Sequence, residues 1–366
     1  MELNKLCKLG FGMMRLPEVD DCIDIEKTKQ MVDAYMNAGM NYFDTAYMYH
    51  SGKSETVIKE VLVKRYPRDT YYLVDKFPIW MNKDNDEVFL DQLERCGVEY
   101  FDLYLLHGIE DGNIDAYEKT NCFEWGIQLK KEGKIKHFGM SYHGSPEVLD
   151  RILTKHPEIE IVQIQLNYID MDNPIIQSRG QHEVLLKHSL PILIMEPVKG
   201  GTLANVSPNI ESIFKQSNPN VSIASWALRY AASLENVVTV LSGMSTIEQL
   251  NDNISTFKEF KSLDHEEYQV IEQVTEMMKK DKLIACTSCR YCIDGCPSNI
   301  NIPEIFKALN AKKLSKNDWL SEDHYSMVTQ NAKASSCIKC GMCESVCPQH
   351  LHIIEFLEEA VEVFEK

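Results

Sequence analysis

The sequence has no run approaching the roughly 18 consecutive apolar residues that a membrane span requires, which excludes a spanning helix. The first residues, MELNKLCKLGFGMMRL, lack a long apolar stretch followed by a small-residue cleavage site, so a cytoplasmic protein is expected. Positive charge is also scarce. Against 55 acidic residues stand 38 basic ones, a formal charge of -17, and such a surface repels phosphate backbones and anionic lipid alike. Neither nucleic acid nor a membrane is expected as a partner. A complete G-x-G-x-x-G is missing too: GFGMMR lacks the third glycine and precedes any crossover helix, which counts against an open doubly wound sheet. No long polar tract interrupts a chain that is 44% hydrophobic and 25% charged, the balance of an ordinary globular protein. At 366 residues it exceeds the size at which one core usually stops growing, so one large and one small domain are expected.

What the chain has in excess is cysteine. Twelve would be odd in a reducing compartment if they were scattered. Eight are ordered: Cys286, Cys289, Cys292 and Cys296 precede Pro297, and the same C-x2-C-x2-C-x3-C-P run returns as Cys337, Cys340, Cys343, Cys347 and Pro348. Such a run wraps three thiolates around one [4Fe-4S] cubane, and in two-cluster ferredoxins its fourth Cys ligates the other cluster. That rule gives one cluster to Cys286, Cys289, Cys292 and Cys347, and the other to Cys337, Cys340, Cys343 and Cys296. Structural zinc is the alternative, although zinc usually draws its four ligands as two separated pairs. Cys7, Cys22, Cys96 and Cys122 share no spacing and receive no role. Between the runs, IPEIFKALNAKKLSKNDWLSEDHYSMVTQNAKA is helix-like in composition. After them Ile353, Phe356, Leu357, Ala360, Val361 and Phe364 recur at helical spacing. A small, mainly helical, ferredoxin-like domain over 283–366 follows, preceded by a linking helix at 263–282 with the boundary near Lys282.

Upstream, over 1–262, β-like runs alternate with amphipathic helical stretches: MNYFDTA, YYLVDKF, YFDLYLLHG, KHFGMSYH, IVQIQLNY, PILIMEP and VVTVLSGM. Alternation of this kind implies parallel strands with crossover helices, and runs this apolar must be covered on both faces. A closed (β/α)8 TIM barrel is expected. Nearly every run ends in a polar side chain, in order Asp44, Lys76, His107, Ser141, Gln165, Asn167, Glu196 and Ser242. In a barrel those ends form one face, where active sites lie.

The segments DTAYMY, VDKF and LLHG, in this order and spacing, resemble the catalytic segments of the aldo/keto reductases. The similarity runs over about residues 3–262 and takes in LGFGMMRL, QIQLNY, MEPVKGGTL and LSGMSTIEQLNDNI. The resemblance implies a catalytic tetrad of Asp44, Tyr49, Lys76 and His107. Carbonyl reduction delivers a hydride to carbon and a proton to oxygen, and Tyr49 would give the proton. A free tyrosine titrates about three units above neutrality, so a cation, Lys76 held by Asp44, would stabilise its anion while His107 polarises the carbonyl. For NAD(P)(H), the resemblance implies Ser141, Gln165 and Asn167 on the nicotinamide side. It implies Gly243, Met244, Ser245, Gln249 and Asn253 at the adenosine phosphate end, with Gly12, Met13, Arg15, Glu196 and Ser242 completing the set. Two departures stand out. Tyr142 follows Ser141 where the family has Asn, and Gly243 and Gln249 replace the Lys and Arg that many members set against a 2′-phosphate.

The fusion poses a mechanistic problem, because a nicotinamide gives up electrons as a pair and a cluster passes them singly. Either a flavin (FMN) beside or in place of nicotinamide splits the pair, or the clusters supply electrons through a separate partner. A small-molecule carbonyl or alcohol is expected as substrate, with a redox protein as a further partner. A non-catalytic electron carrier that uses the barrel as a scaffold is the runner-up.

Overall fold

The computed structural model describes residues 6–81, 83–173, 176–280, 283–314 and 319–366. Eight parallel strands close into a barrel: β1 Leu9–Gly12, β2 Tyr42–Asp44, β3 Tyr72–Phe77, β4 Phe101–Ile109, β5 Ile135–Tyr142, β6 Ile161–Gln165, β7 Ile192–Met195 and β8 Val237–Gly243. The ring shuts where Gly12 of β1 stands opposite both Gly243 of β8 and Asp44 of β2. A short antiparallel pair, Glu18–Val19 with Cys22–Ile23, lies outside the ring.

Strand alternation explains how the barrel presents its chemistry. Tyr42, Val74, Leu103, Leu105, Ile161, Leu193 and Leu241 form one buried apolar cluster drawn from six strands. Side chains two positions apart share a face, so Asp44, Lys76, His107 and Gln163 stand directly above members of that cluster. An apolar layer therefore floors the polar one, and the polar residues gather at the C-terminal strand ends. The helices between strands show ordinary start and stop signals. Asn85–Cys96 opens with the Asp84 carboxylate accepting from the N–H of Asp86 and Glu87 and closes on Gly97 at φ 72°, burying Val88, Phe89, Gln92 and Cys96.

The chain forms two compact units, and their division is not linear in sequence. One contains residues up to Asp172 with Ile176–Pro197 and Leu228–Leu263, and the other chiefly Val198–Ala227 with Asp264–Lys366. The reason lies in the second unit's packing. The helix Pro208–Ser217 buries Ile210 and Phe214, the latter against Trp226 at 4.9 Å between ring centroids, and packs on the helix His265–Lys280. The boundary expected near Lys282 lies outside the described residues.

Helices Ile302–Leu314, Trp319–Val328 and Ile353–Phe364 supply the rest of the second unit's core. Phe306 meets Phe356 edge-on at 5.7 Å and Tyr325 stacks on Phe364 at 4.6 Å. The expected closing helix is thus present, with Ile353, Leu357 and Ala360 buried.

Gly200 marks a close approach within this unit. It has φ 63°, and a Cβ there would run into the Thr287 backbone, between Cys286 and Cys289. Gly39 has φ 82° but open space around it. Gly39→Ala is therefore expected to cost only the left-handed penalty of about 1–2 kcal/mol. Gly200→Ala should cost at least about 1 kcal/mol more, since backbone cannot yield cheaply. Denaturant midpoints of the two variants check this, and equal shifts would show that the approach is not constrained.

Candidate active site and cysteine cavities

The barrel's polar layer is organised by a buried ion pair. Lys76 and Asp44 are 1% and 2% exposed, with Nζ 2.5 Å from Oδ1. Nζ also donates to the Thr45 carbonyl at 2.7 Å and to the Tyr49 hydroxyl at 3.3 Å, so all three ammonium donors have acceptors. The Gln163 amide donates to the other Asp44 oxygen at 3.5 Å. Burial pushes the Asp44 carboxyl up, and Lys76 and Gln163 pull against that.

Residues facing away from the barrel axis hold the lysine's backbone. Gln92 donates to the Lys76 carbonyl at 3.1 Å and to Glu55 at 3.0 Å, and accepts from the Tyr104 hydroxyl at 2.5 Å. Glu55 is paired with Arg95. Burial, and then the neighbouring Glu55 carboxylate, pushes the Asp75 carboxyl well above the usual range. Sequence reasoning missed this support. Gln163 was within reach of it, because it sits two positions before Gln165 on the same strand face; Asp75, Glu55 and Gln92 carry no such local signal.

Tyr49 is half-buried, beside Lys76 and edge-on to His107 at 6.1 Å. Burial holds its phenol well above the ordinary value; Asp44, Asp75 and Glu196 add to this, and Arg15 opposes it. The expected lowering by the lysine is overridden, chiefly by burial, with the Asp44 carboxylate adding to it. The tyrosine is set up as a proton donor. His107 is driven well below its usual range by burial, then by Lys76 and His143, so it is a neutral imidazole near pH 7. Its Nδ1 is buried without a hydrogen-bond partner among the described residues. Tyr117 pins the His107 carbonyl at 2.5 Å, and the half-exposed Trp80 lies 5.1 Å from its ring.

The remaining predicted residues surround this group at the strand ends, but several are already engaged. The Ser141 hydroxyl accepts from Gly108 N–H at 2.7 Å. Gln165 and Asn167 both donate to the buried Asp170, at 3.0 and 2.7 Å, and Asn167 also donates to the Glu196 carbonyl at 3.1 Å. Tyr142 points its hydroxyl at Asp111 and the Ser145 carbonyl, at 3.1 and 2.7 Å, so no amide stands where the family has Asn. Arg15 lies 3.5 Å from Glu196. After β8, Asn253 donates to the Ser242 hydroxyl at 2.9 Å, Ser245 N–H donates to the Gln249 side chain at 2.8 Å, and Thr246 caps the helix Ile247–Lys258. That helix start can take an anion. Gly12 and Gly243 have no spare room, since a Cβ would meet Ser242 backbone at 3.3 Å or the Arg15 side chain at 3.0 Å. Met13 and Met244 are buried.

In the C-terminal unit, one cavity is lined by Cys296, Cys337, Cys340 and Cys343, and another by Cys286, Cys289, Cys292 and Cys347. Each combines three thiols of one run with the fourth of the other. Around them the backbone repeats: Ser288 and Lys339, Arg290 and Gly341, and Asn299 and His350 all have positive φ at matching places in the two runs. The N–H groups of Ser288 and Lys339 each donate to a thiol sulfur two residues earlier, at 3.4 Å. The thiols ring cavities rather than converge: among the described residues no three His, Cys, Asp or Glu are placed to hold a single metal ion. Burial pushes the Cys292, Cys343 and Cys347 thiols up. Of the other four, Cys96 and Cys122 are buried, and Cys7 donates to the Leu9 carbonyl.

Among the described residues no helix is long and apolar enough to cross a membrane. The profile of the aldo/keto reductase family matches residues 8–276, and that of a 4Fe-4S dicluster domain matches 285–352. An uncharacterised oxidoreductase of Bacillus subtilis, YqkF, is 26% identical over 309 residues, covering 74% of this chain and 96% of its own length. L-galactose dehydrogenase of Arabidopsis thaliana is 24% identical, covering 75% and 92%. Among solved structures, the holo form of an aldo-keto reductase from Bacillus halodurans aligns with TM-score 0.59 at 26% identity, covering 73% and 91%. An aldo/keto reductase from Klebsiella pneumoniae in complex with NADP and acetate aligns with TM-score 0.61 at 20% identity, covering 74% and 92%. The chain belongs to the aldo/keto reductase family and carries a 4Fe-4S dicluster domain behind its barrel.

Proposed function

We propose that this iron-sulfur oxidoreductase interconverts a small-molecule carbonyl and its alcohol in the barrel and exchanges the electrons, singly, through two [4Fe-4S] clusters. The observation that carries the reading is the buried Asp44–Lys76 pair under a protonated Tyr49 and beside a neutral His107. In reduction, the Tyr49 hydroxyl gives its proton to the carbonyl oxygen as that oxygen gains charge. His107, being neutral, donates a hydrogen bond to the same oxygen without competing for the proton. The phenolate left behind faces the Lys76 ammonium, which Asp44 and the Thr45 carbonyl keep oriented. Bound NAD(P)H would supply the hydride, and the Klebsiella relative's complex with NADP supports a nicotinamide here. Ser141, Gln165, Asn167 and Glu196 would flank its ring. Arg15, Ser242, Gly243, Ser245, Gln249 and Asn253 would take its adenosine phosphate end.

Cys286, Cys289, Cys292 and Cys347 would ligate one cluster, and Cys296, Cys337, Cys340 and Cys343 the other, as the two cavities group them. Because a hydride carries two electrons and a cluster accepts one, FMN as the splitter belongs to the reading and is tested with it.

Three outcomes are expected. Oxygen-free protein should bleach and develop a cluster radical signal with NADH or NADPH, with or without added FMN; clusters that respond to dithionite alone would sink the wiring of barrel to clusters. Tyr49→Phe removes only the proton donor, so kcat for carbonyl reduction should fall about 10²–10⁴-fold with clusters intact. Unchanged turnover would favour the electron-carrier reading. Because His107 titrates below its ordinary range and Tyr49 above, both protonation states hold across neutral pH, and kcat/KM for reduction should be flat from about pH 7 to pH 10. An inflection near pH 7 would assign the proton to another group.

A further inference from the structure

Resting on the two-cluster reading, we propose that the cluster held by Cys296, Cys337, Cys340 and Cys343 is the electron port. On this proposal the apolar patch around Cys340 docks a one-electron carrier protein whose contact face is ringed with basic residues.

The two cavities differ in their cysteines rather than in their backing. Phe306, Gln349 and Ile353 are buried behind Cys286, Cys289, Cys292 and Cys347, none of which is exposed, as Ile300, Ile302 and Leu357 are buried behind the other set. The other has Cys340 itself exposed. Beside it Ile338, Met342 and Val346 are 65%, 51% and 48% exposed, three of the eight large exposed apolar side chains among the described residues, gathered within nine positions of the chain. Ile302 lines both cavities, so the clusters share a wall and an electron entering the other one has a short step to the one with Cys340. Apolar side chains at an exposed metal ligand cost solubility, and a patch of this kind at a redox centre marks a contact surface.

Charge decides which partner fits. The helix Ile353–Phe364 carries Glu355, Glu358 and Glu362 on its exposed side, Glu362 with Lys366 as its ion-pair partner at 3.8 Å. Lys339, the one cation between the patch cysteines, is neutralised by its ion pair with Glu358. On the other side Asp294 is exposed next to Gly295, whose added Cβ would sit 3.6 Å from the Met342 methyl. The rim is therefore acidic on a chain of charge -17. A second copy of this chain would meet its own charge, whereas a basic-rimmed carrier is steered in and held by a small apolar centre, as suits a brief electron-transfer encounter. The transfer moves one electron from the reduced cluster to the carrier's oxidised centre, with no bond made and no proton moved.

The test uses full-length protein reduced with dithionite without oxygen. Cytochrome c serves as the basic carrier probe and hexaamminecobalt(III) as an oxidant too small to need docking. Reoxidation is followed by stopped flow at the cluster absorbance. The double variant Ile338→Asn, Met342→Gln should slow cytochrome c about tenfold or more and leave the cobalt rate unchanged, and the wild-type cytochrome c rate should fall as salt rises. A neutral dysprosium chelate should speed the spin relaxation of one cluster's EPR signal more than the other's, equally in both proteins. Equal cytochrome c rates in the two proteins, losses with both oxidants, or a wild-type dimer that the variant abolishes would overturn the docking proposal. Iron and sulfide short of two cubanes in wild type would instead overturn the cluster reading beneath it.

Discussion

The barrel's chemistry depends on a lysine and an aspartate buried together. Removing two charges from water costs several kcal/mol per ion, and attraction alone repays it only when the remaining donors and acceptors are also satisfied. Here Lys76 meets that condition through Asp44, the Thr45 carbonyl and the Tyr49 hydroxyl, and Asp44 through Gln163. Burial keeps the phenol above the pair protonated and the imidazole beside it neutral, with Asp44 adding to the first effect and Lys76 to the second.

The C-terminal unit solves a different problem with a repeated device. Its helices enclose a small core, and the two cysteine runs repeat a backbone path with positive φ at corresponding positions. Because each cavity borrows its fourth thiol from the other run, neither closes alone.

Much of this was legible from residue order. Alternating apolar runs announced parallel strands, and each expected run from MNYFDTA to VVTVLSGM contains a barrel strand. The polar residues at their ends were found because period-2 alternation sends every second side chain inward. Asp44 stands opposite Val74, two positions before Lys76 on the neighbouring strand, so Asp44 and Lys76 share the inward face. Illegible were the groups that act at a distance in sequence: Gln92 and Glu55 bracing the Lys76 backbone, and Trp80 over His107. Each is an ordinary residue in its own segment and gains meaning only from what lies opposite. The grouping of Val198–Ala227 with the C-terminal unit was hidden for the same reason, since its helix is amphipathic whichever core it joins.

The sequence by itself determined the period of the strands, the cysteine spacing and the kinds of side chain available at each strand end, because these are local properties of covalent order. Tertiary structure alone decided the protonation states of Tyr49 and His107 and the exposure of Cys340. Those depend on burial and on charges brought near from remote segments, and no local pattern encodes a dielectric environment or a neighbour a hundred residues away.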